Sequence, residues 1–219
     1  MVLECEAVLF DLDGVLVESG AVIERMWRGW AARRGLDPDE VMALTPGRRA
    51  PDVVRLAAPE LDAKAEAEAL EEHQVADPHL LREVAGAREL TSSLTAGTWA
   101  VVTSGSRFVA TTRLRTIGIV EPSVLVTADD VVRGKPDPEG YLSAAKALGT
   151  PAEECVVIED APSGARAGLA AGMRVIGVEG GGIERGDGVE FIVPDLTGLR
   201  IGTVEDGVGR LRVSPVAGR

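Results

Sequence analysis

Six short runs of consecutive apolar residues, each ended by polar ones, constrain this chain more than any other feature. They cover residues 7–10, 99–102, 124–126, 155–158, 175–178 and 191–193. A strand with one wet face alternates apolar and polar residues, so unbroken apolar runs belong to strands covered on both faces. The segments between several of them read as helices. In residues 107–117, Ala110, Leu114 and Ile117 share a face, and Gly118 stops the pattern. Asp137 is expected to cap a helix with Pro138 at its first position and Gly149 just past its end. Ser163 opens an Ala-rich helix that stops at Gly172. Alternation of this kind implies an α/β fold, a parallel sheet with right-handed crossovers and helices on both faces.

Residues 17–84 break the alternation. Val22, Ile23, Met26, Trp27, Trp30 and Ala31 form one apolar helix face, while Arg25, Arg28, Arg33 and Arg34 lie mostly away from it. Asp62 is placed to cap an acidic helix running through Glu72. No strand signal appears there, so the stretch reads as a small all-helical cap inserted after the first strand. The core then comprises residues 1–16 and 85–219. After Val193 the chain is Gly-rich, with short β-like runs at 199–201 and 211–213, and it gives no firm reading.

Composition narrows the function. A net charge of −12 and a pI near 4.7 repel nucleic acid and anionic membrane surfaces. No apolar run approaches the roughly 20 residues that span a bilayer. The opening MVLECEAVLF lacks a basic stretch ahead of an apolar one, so no signal peptide is expected. Cys5 and Cys155 are too few for a disulfide framework and fit buried strand positions in a reducing cytoplasm. With only His73 and His79, a multi-histidine metal cage is excluded.

The chemistry-bearing residues sit where the proposed strands end, the edge at which open parallel sheets bind ligands. Asp11 and Asp13 follow the first run. Two apart on extended backbone, they point the same way, and Gly14 permits the turn that follows. Glu159 and Asp160 follow the fourth. Several acids at one edge repel and call for an oxygen-ligated hard cation, for which Mg²⁺ is suited. Lys135 lies in Gly134-Lys135-Pro136-Asp137-Pro138, stiffened by two prolines. Its need is quantitative: a unit charge pair at about 4 Å is worth about 4 kcal/mol at an effective dielectric of 20, and a carboxylate approaching a dianionic phosphate meets about twice that repulsion. Thr103-Ser104-Gly105-Ser106 offers a hydroxyl and backbone N–H groups to an anion, with Ser106 also a helix cap.

Four stretches in this order resemble the motifs of the haloacid dehalogenase (HAD) superfamily: Asp11-Leu12-Asp13-Gly14-Val15, Thr103, Gly134-Lys135-Pro136-Asp137, and Glu159-Asp160 with Ala161-Pro162-Ser163-Gly164. The small-helical-cap group, and its sugar-phosphate phosphatases in particular, is the best match. The resemblance implies a Rossmann-like core and a phosphomonoester hydrolase. Asp11 would be the nucleophile, forming an aspartyl phosphate, and Asp13 the acid and base. Thr103 and Lys135 would be catalytic and would hold phosphate, with Ser104 and Gly105 beside them. Asp11, Asp13 through its backbone carbonyl, Glu159 and Asp160 would hold Mg²⁺. It also implies a cis Lys135–Pro136 bond.

Rivals are weighed on residues. A β-phosphoglucomutase-type mutase would carry a hinge histidine about ten residues after Asp13, where Ile23 stands. A phosphonate hydrolase would want a cap lysine, and Lys64 among Ala and Glu reads as a surface residue. A dehalogenase has no use for the metal or for Asp13. A non-catalytic receiver-like phospho-acceptor would need neither a cap nor Asp13. Arg48 and Arg49, in a cap turn like the group's specificity loop, are candidates to contact substrate, as are Glu18 and Ser19 at the hinge. Trp27 and Trp30 read as cap core. The expected partner is a small phosphorylated metabolite, met by a monomer.

Overall fold

The computed structural model of the 219-residue chain describes residues 2–203 and 210–216. In chain order the elements are β1 (Leu3–Cys5), β2 (Ala7–Phe10), β3 (Val17–Glu18), α1 (Gly20–Arg34), α2 (Pro38–Leu44), α3 (Ala50–Ala57), α4 (Ala63–Glu71) and β4 (Arg82–Glu83). There follow α5 (Ala87–Ser92), β5 (Trp99–Val102), α6 (Arg107–Ile117), β6 (Leu125–Val126), α7 (Glu139–Leu148), β7 (Cys155–Glu159), α8 (Pro162–Ala170) and β8 (Arg174–Val178). The chain continues through β9 (Ile192–Val193), β10 (Leu199–Thr203) and β11 (Leu211–Pro215).

All six apolar runs join one parallel sheet, ordered β6-β5-β2-β7-β8-β9. Along β2, Val8 and Phe10 pack into one apolar cluster and Ala7 and Leu9 into another, the alternation a doubly covered strand requires. Helix signals are met where side chains supply them. Ser106 accepts from the Val109 N–H at the start of α6, and Asp62 from Lys64 and Ala65 at the start of α4. α7 starts at Glu139, one residue later than expected, with Pro138 at the cap position, while the Asp137 carboxylate accepts from the Glu139 N–H at 3.0 Å as a capping side chain does.

Residues 26–70 bury a third apolar cluster of their own, built around Trp27 and Trp30, which meet edge to face at 5.4 Å. Two findings correct the sequence reading here and at the far end. Residues 17–84 are not strand-free, since β3 and β4 pair antiparallel where the chain leaves and re-enters the sheet region. Two residues per strand, three of the four charged, leave no alternation to detect. The Gly-rich C-terminal stretch forms β10 and β11, which pair antiparallel, and β11 also pairs with β1.

Candidate active site

The strand order assembles the site. β2 lies between β5 and β7, with Phe10 level with Val101 on one side and Ile158 on the other. Asp11, Thr103 and the Glu159-Asp160 pair therefore emerge side by side. The Asp11 N–H still bonds the Ile158 carbonyl at 2.9 Å, which fixes its backbone to the sheet. Lys135 reaches in from the loop between β6 and α7, whose Lys135–Pro136 peptide is cis.

Lys135 is buried, and its ammonium spends its three donors on the Asp11 carboxylate, on Glu159 Oε1 at 2.7 Å and on the Val102 carbonyl at 3.1 Å. Glu159 is saturated in turn. Its Oε1 also accepts from the Tyr141 hydroxyl at 3.1 Å, and its Oε2 from the Asp160 and Ala161 N–H groups, each at 2.9 Å. Such a network is possible only because residue 164 is glycine: a Cβ there would lie 1.5 Å from Glu159 Oε1. Burial would pull the Lys135 pKa down, but Asp11 and Glu159 outweigh it and hold it well above its usual value. Burial pushes Asp11 up to about 7, against the pull of Lys135. Asp160 is driven well above the carboxylate range by burial and then by the charges of Glu159 and Asp11.

Burial dominates both carboxyl shifts, and the crowding of acids adds to it. Asp11, Glu159 and Asp160 bring carboxylate oxygens within 4.8 Å of one another, and one ammonium answers them. Two negative charges are left unmatched, and hard oxygen donors in that number fit a divalent cation such as Mg²⁺. The three residues could hold one.

Asp13 stands apart from this cluster. Its Oδ1 accepts from Arg113 at 2.5 Å and from the Ser19 hydroxyl at 2.6 Å. Sequence reasoning missed Arg113. The signal was there: it occupies the stripe of Ala110, Leu114 and Ile117 on α6, where an apolar side chain belongs, and its side chain is 1% exposed.

The 45–49 turn lies against the sheet edge. Ser163 donates to the Pro46 carbonyl at 3.1 Å, and Ser104 to the Gly47 carbonyl at 2.8 Å. Gly47 has a φ of 67°, and a Cβ there would strike the Ser163 hydroxyl at 2.1 Å. Arg49, like Arg48, borders the open cavity, but most of its guanidinium donors are engaged. It bonds Asp52 and the carbonyls of Val131 and Val132, at 3.2 and 3.0 Å. Arg48 uses Nη1 on the Leu44 carbonyl at 2.8 Å. The Gly105 N–H bonds the Thr103 hydroxyl at 3.1 Å. Glu18 lies on β3 and Lys64 is exposed. Asp11, Asp13, Glu18, Thr103, Arg48 and Asp160 all border one cavity of about 1190 Å³. His73 and His79 are exposed, and Cys5 and Cys155 are buried strand residues with thiols pushed up to about 12 and about 11 by burial.

Known proteins resemble this chain over most of its length. The family model for haloacid dehalogenase-like hydrolases matches residues 5–172. Hexitol phosphatase A of Escherichia coli (strain K12) is 45% identical over 181 residues, covering 80% of this chain and 84% of the relative. Glycerol-1-phosphate phosphohydrolase 2 of Saccharomyces cerevisiae is 37% identical, covering 80% and 75%. Among solved structures, a hydrolase from Pseudomonas syringae superposes with a TM-score of 0.75 at 27% identity, covering 86% of this chain and 93% of its own. The chain belongs to the haloacid dehalogenase-like hydrolase family, and it is a phosphatase.

Proposed function

We propose that the chain hydrolyses phosphate monoesters of small sugars or polyols, with Asp11 as nucleophile. The observation that carries this is the buried Asp11 carboxylate, bonded to Lys135 beside a large cavity and accompanied by Asp13. In this mechanism Asp11 attacks phosphorus, the bond from phosphorus to the alcohol oxygen breaks, and an aspartyl phosphate remains. Asp13 gives its proton to the departing oxygen. It then takes one from the water that attacks phosphorus, and inorganic phosphate leaves as Asp11 is restored. Lys135, the Thr103 hydroxyl and the backbone at Ser104 and Gly105 would hold phosphate oxygens. Mg²⁺, held by Asp11, Asp160 and the Asp13 carbonyl with Glu159 alongside, would supply positive charge against the dianionic phosphate.

Residues 17–84 serve as the cap in this reading, closing over a core of residues 1–16 and 85–219 and excluding water. Of the two cap arginines, Arg48 retains donors uncommitted among the described residues, whereas Arg49 is held by Asp52 and two carbonyls. The substrate class is supported by the relatives, which are named for hexitol and glycerol-1-phosphate hydrolysis. No helix among the described residues is long and apolar enough to cross a membrane. We propose a monomer acting in the cytoplasm.

A panel of hexitol phosphates, glycerol 1-phosphate, hexose phosphates and nucleotides, read by released phosphate, tests the substrate. The expected result is preference for sugar or polyol phosphates, silenced by EDTA and restored by Mg²⁺. Asp11→Asn should lose about 10³-fold or more of turnover with its circular dichroism unchanged. Wild-type activity in that variant, or after exhaustive chelation, overturns the mechanism. Interconversion of hexose phosphates without phosphate release would indicate a mutase instead.

A further inference from the structure

We propose that Arg113 is a positioning residue for Asp13 and makes the placement of that carboxyl depend on the cap. The inference rests on the reading of Asp13 as proton donor and acceptor. A buried guanidinium is expensive to desolvate, and a buried ion pair is weak grounds for added stability. Arg113 bears this cost on the inner stripe of α6, where its neighbours are Ala110 and Leu114. Its Nε is buried with no hydrogen-bond partner, the one such side-chain nitrogen or oxygen among the described residues. The side chain is thus not placed to satisfy itself.

What it does is reach two groups from different parts of the chain. Nη1 bonds Asp13 Oδ1 at 2.5 Å, and Nη2 bonds the Gln74 carbonyl at 3.4 Å. Gln74 lies between α4 and β4, within residues 17–84. Ser19 donates to the same Asp13 oxygen. With Oδ1 committed twice, the carboxyl cannot turn freely, and Oδ2 is left without a hydrogen bond among the described residues while Asp13 borders the cavity. The guanidinium is a rigid fork, so anchoring one prong on Gln74 fixes the other. If residues 17–84 shift, the fork loses its second anchor and Asp13 its orientation. Holding a reacting group in one geometry is worth rate rather than affinity.

A double-mutant cycle tests this with p-nitrophenyl phosphate as substrate, comparing Arg113→Met, Asp13→Asn and the double variant, with melting temperatures recorded alongside. Arg113→Met should lower kcat about 30-fold and leave KM within about threefold. In the Asp13→Asn background the same substitution should change kcat less than about twofold, because the group it acts through is gone. A merely structural arginine would give losses that add. Arg113→Lys keeps the charge without the fork and should fall between, and it carries the comparison if the methionine variant does not fold. Wild-type kcat in the Arg113 variants, or full additivity, overturns the proposal. Wild-type turnover by Asp13→Asn would instead remove the acid–base reading beneath it.

Discussion

Glu159 and Gly164 show how narrowly the site is set at the scale of single residues. Four hydrogen bonds converge on the Glu159 carboxylate, and the space for it exists because residue 164 lacks a side chain. Gly164→Ala should push Glu159 off Lys135, costing about 1–3 kcal/mol of stability and most of the phosphatase activity. Thermal unfolding and phosphate release check the two halves of that statement. Asp11 supplies a pH signature. Its usual pKa is 3.8 and in the folded chain about 7, so between those values the folded state keeps a proton that the unfolded state has lost. The stabilisation is full below 3.8, declines as pH rises, and is gone above about 7. With chelator present, the melting temperature of the wild type should therefore fall more steeply across that window than that of Asp11→Asn, whose amide does not titrate; parallel curves would refute it. Asp11, Lys135 and Asp160 were legible in the sequence because each ends an apolar run or sits in a stiff loop. Arg113 was not, because a single cation inside an otherwise apolar helical stripe carries no pattern of its own. Nor was the engagement of Arg49, which depends on carbonyls more than 80 residues away.

Among the elements, the 45–49 turn ties residues 17–84 to the core of the chain. Two backbone carbonyls and one arginine tie it to Ser104 just after β5, to Ser163 in the first turn of α8 and to the loop carrying Lys135. Hydrogen bonds to a charged group contribute about 1.5–3 kcal/mol. Arg49→Met should accordingly speed amide hydrogen exchange in α3 by about tenfold or more, while β2 and β7 exchange as in the wild type. Equal protection of α3 in both proteins would remove this turn from the docking. The strands of the main sheet were visible in advance because burial on both faces writes itself as an unbroken apolar run. β3 and β4 were not, since their pairing is backbone to backbone and Glu18, Arg82 and Glu83 carry no pattern.

For the whole molecule, the sequence yields the members of the sheet but not their order. That β2 lies centrally, between β5 and β7, is what brings Asp11 next to Thr103 and Asp160, and it comes from which strands pair rather than from any single motif. The matching motifs supplied the grouping that periodicity alone could not. The C-terminal stretch stayed unread for a physical reason: β10 has only its first residue buried, and β11 finds its partner at the other end of the chain. That partnership has a kinetic meaning. Leu3 pairs with Val213, so a chain emerging from the ribosome holds β1 without a neighbour until the segment carrying β11 has been made. Non-local pairings close late because the intervening loop entropy must be overcome first. The small antiparallel sheet would then be the last seam to shut during synthesis, after the catalytic strands are already in register.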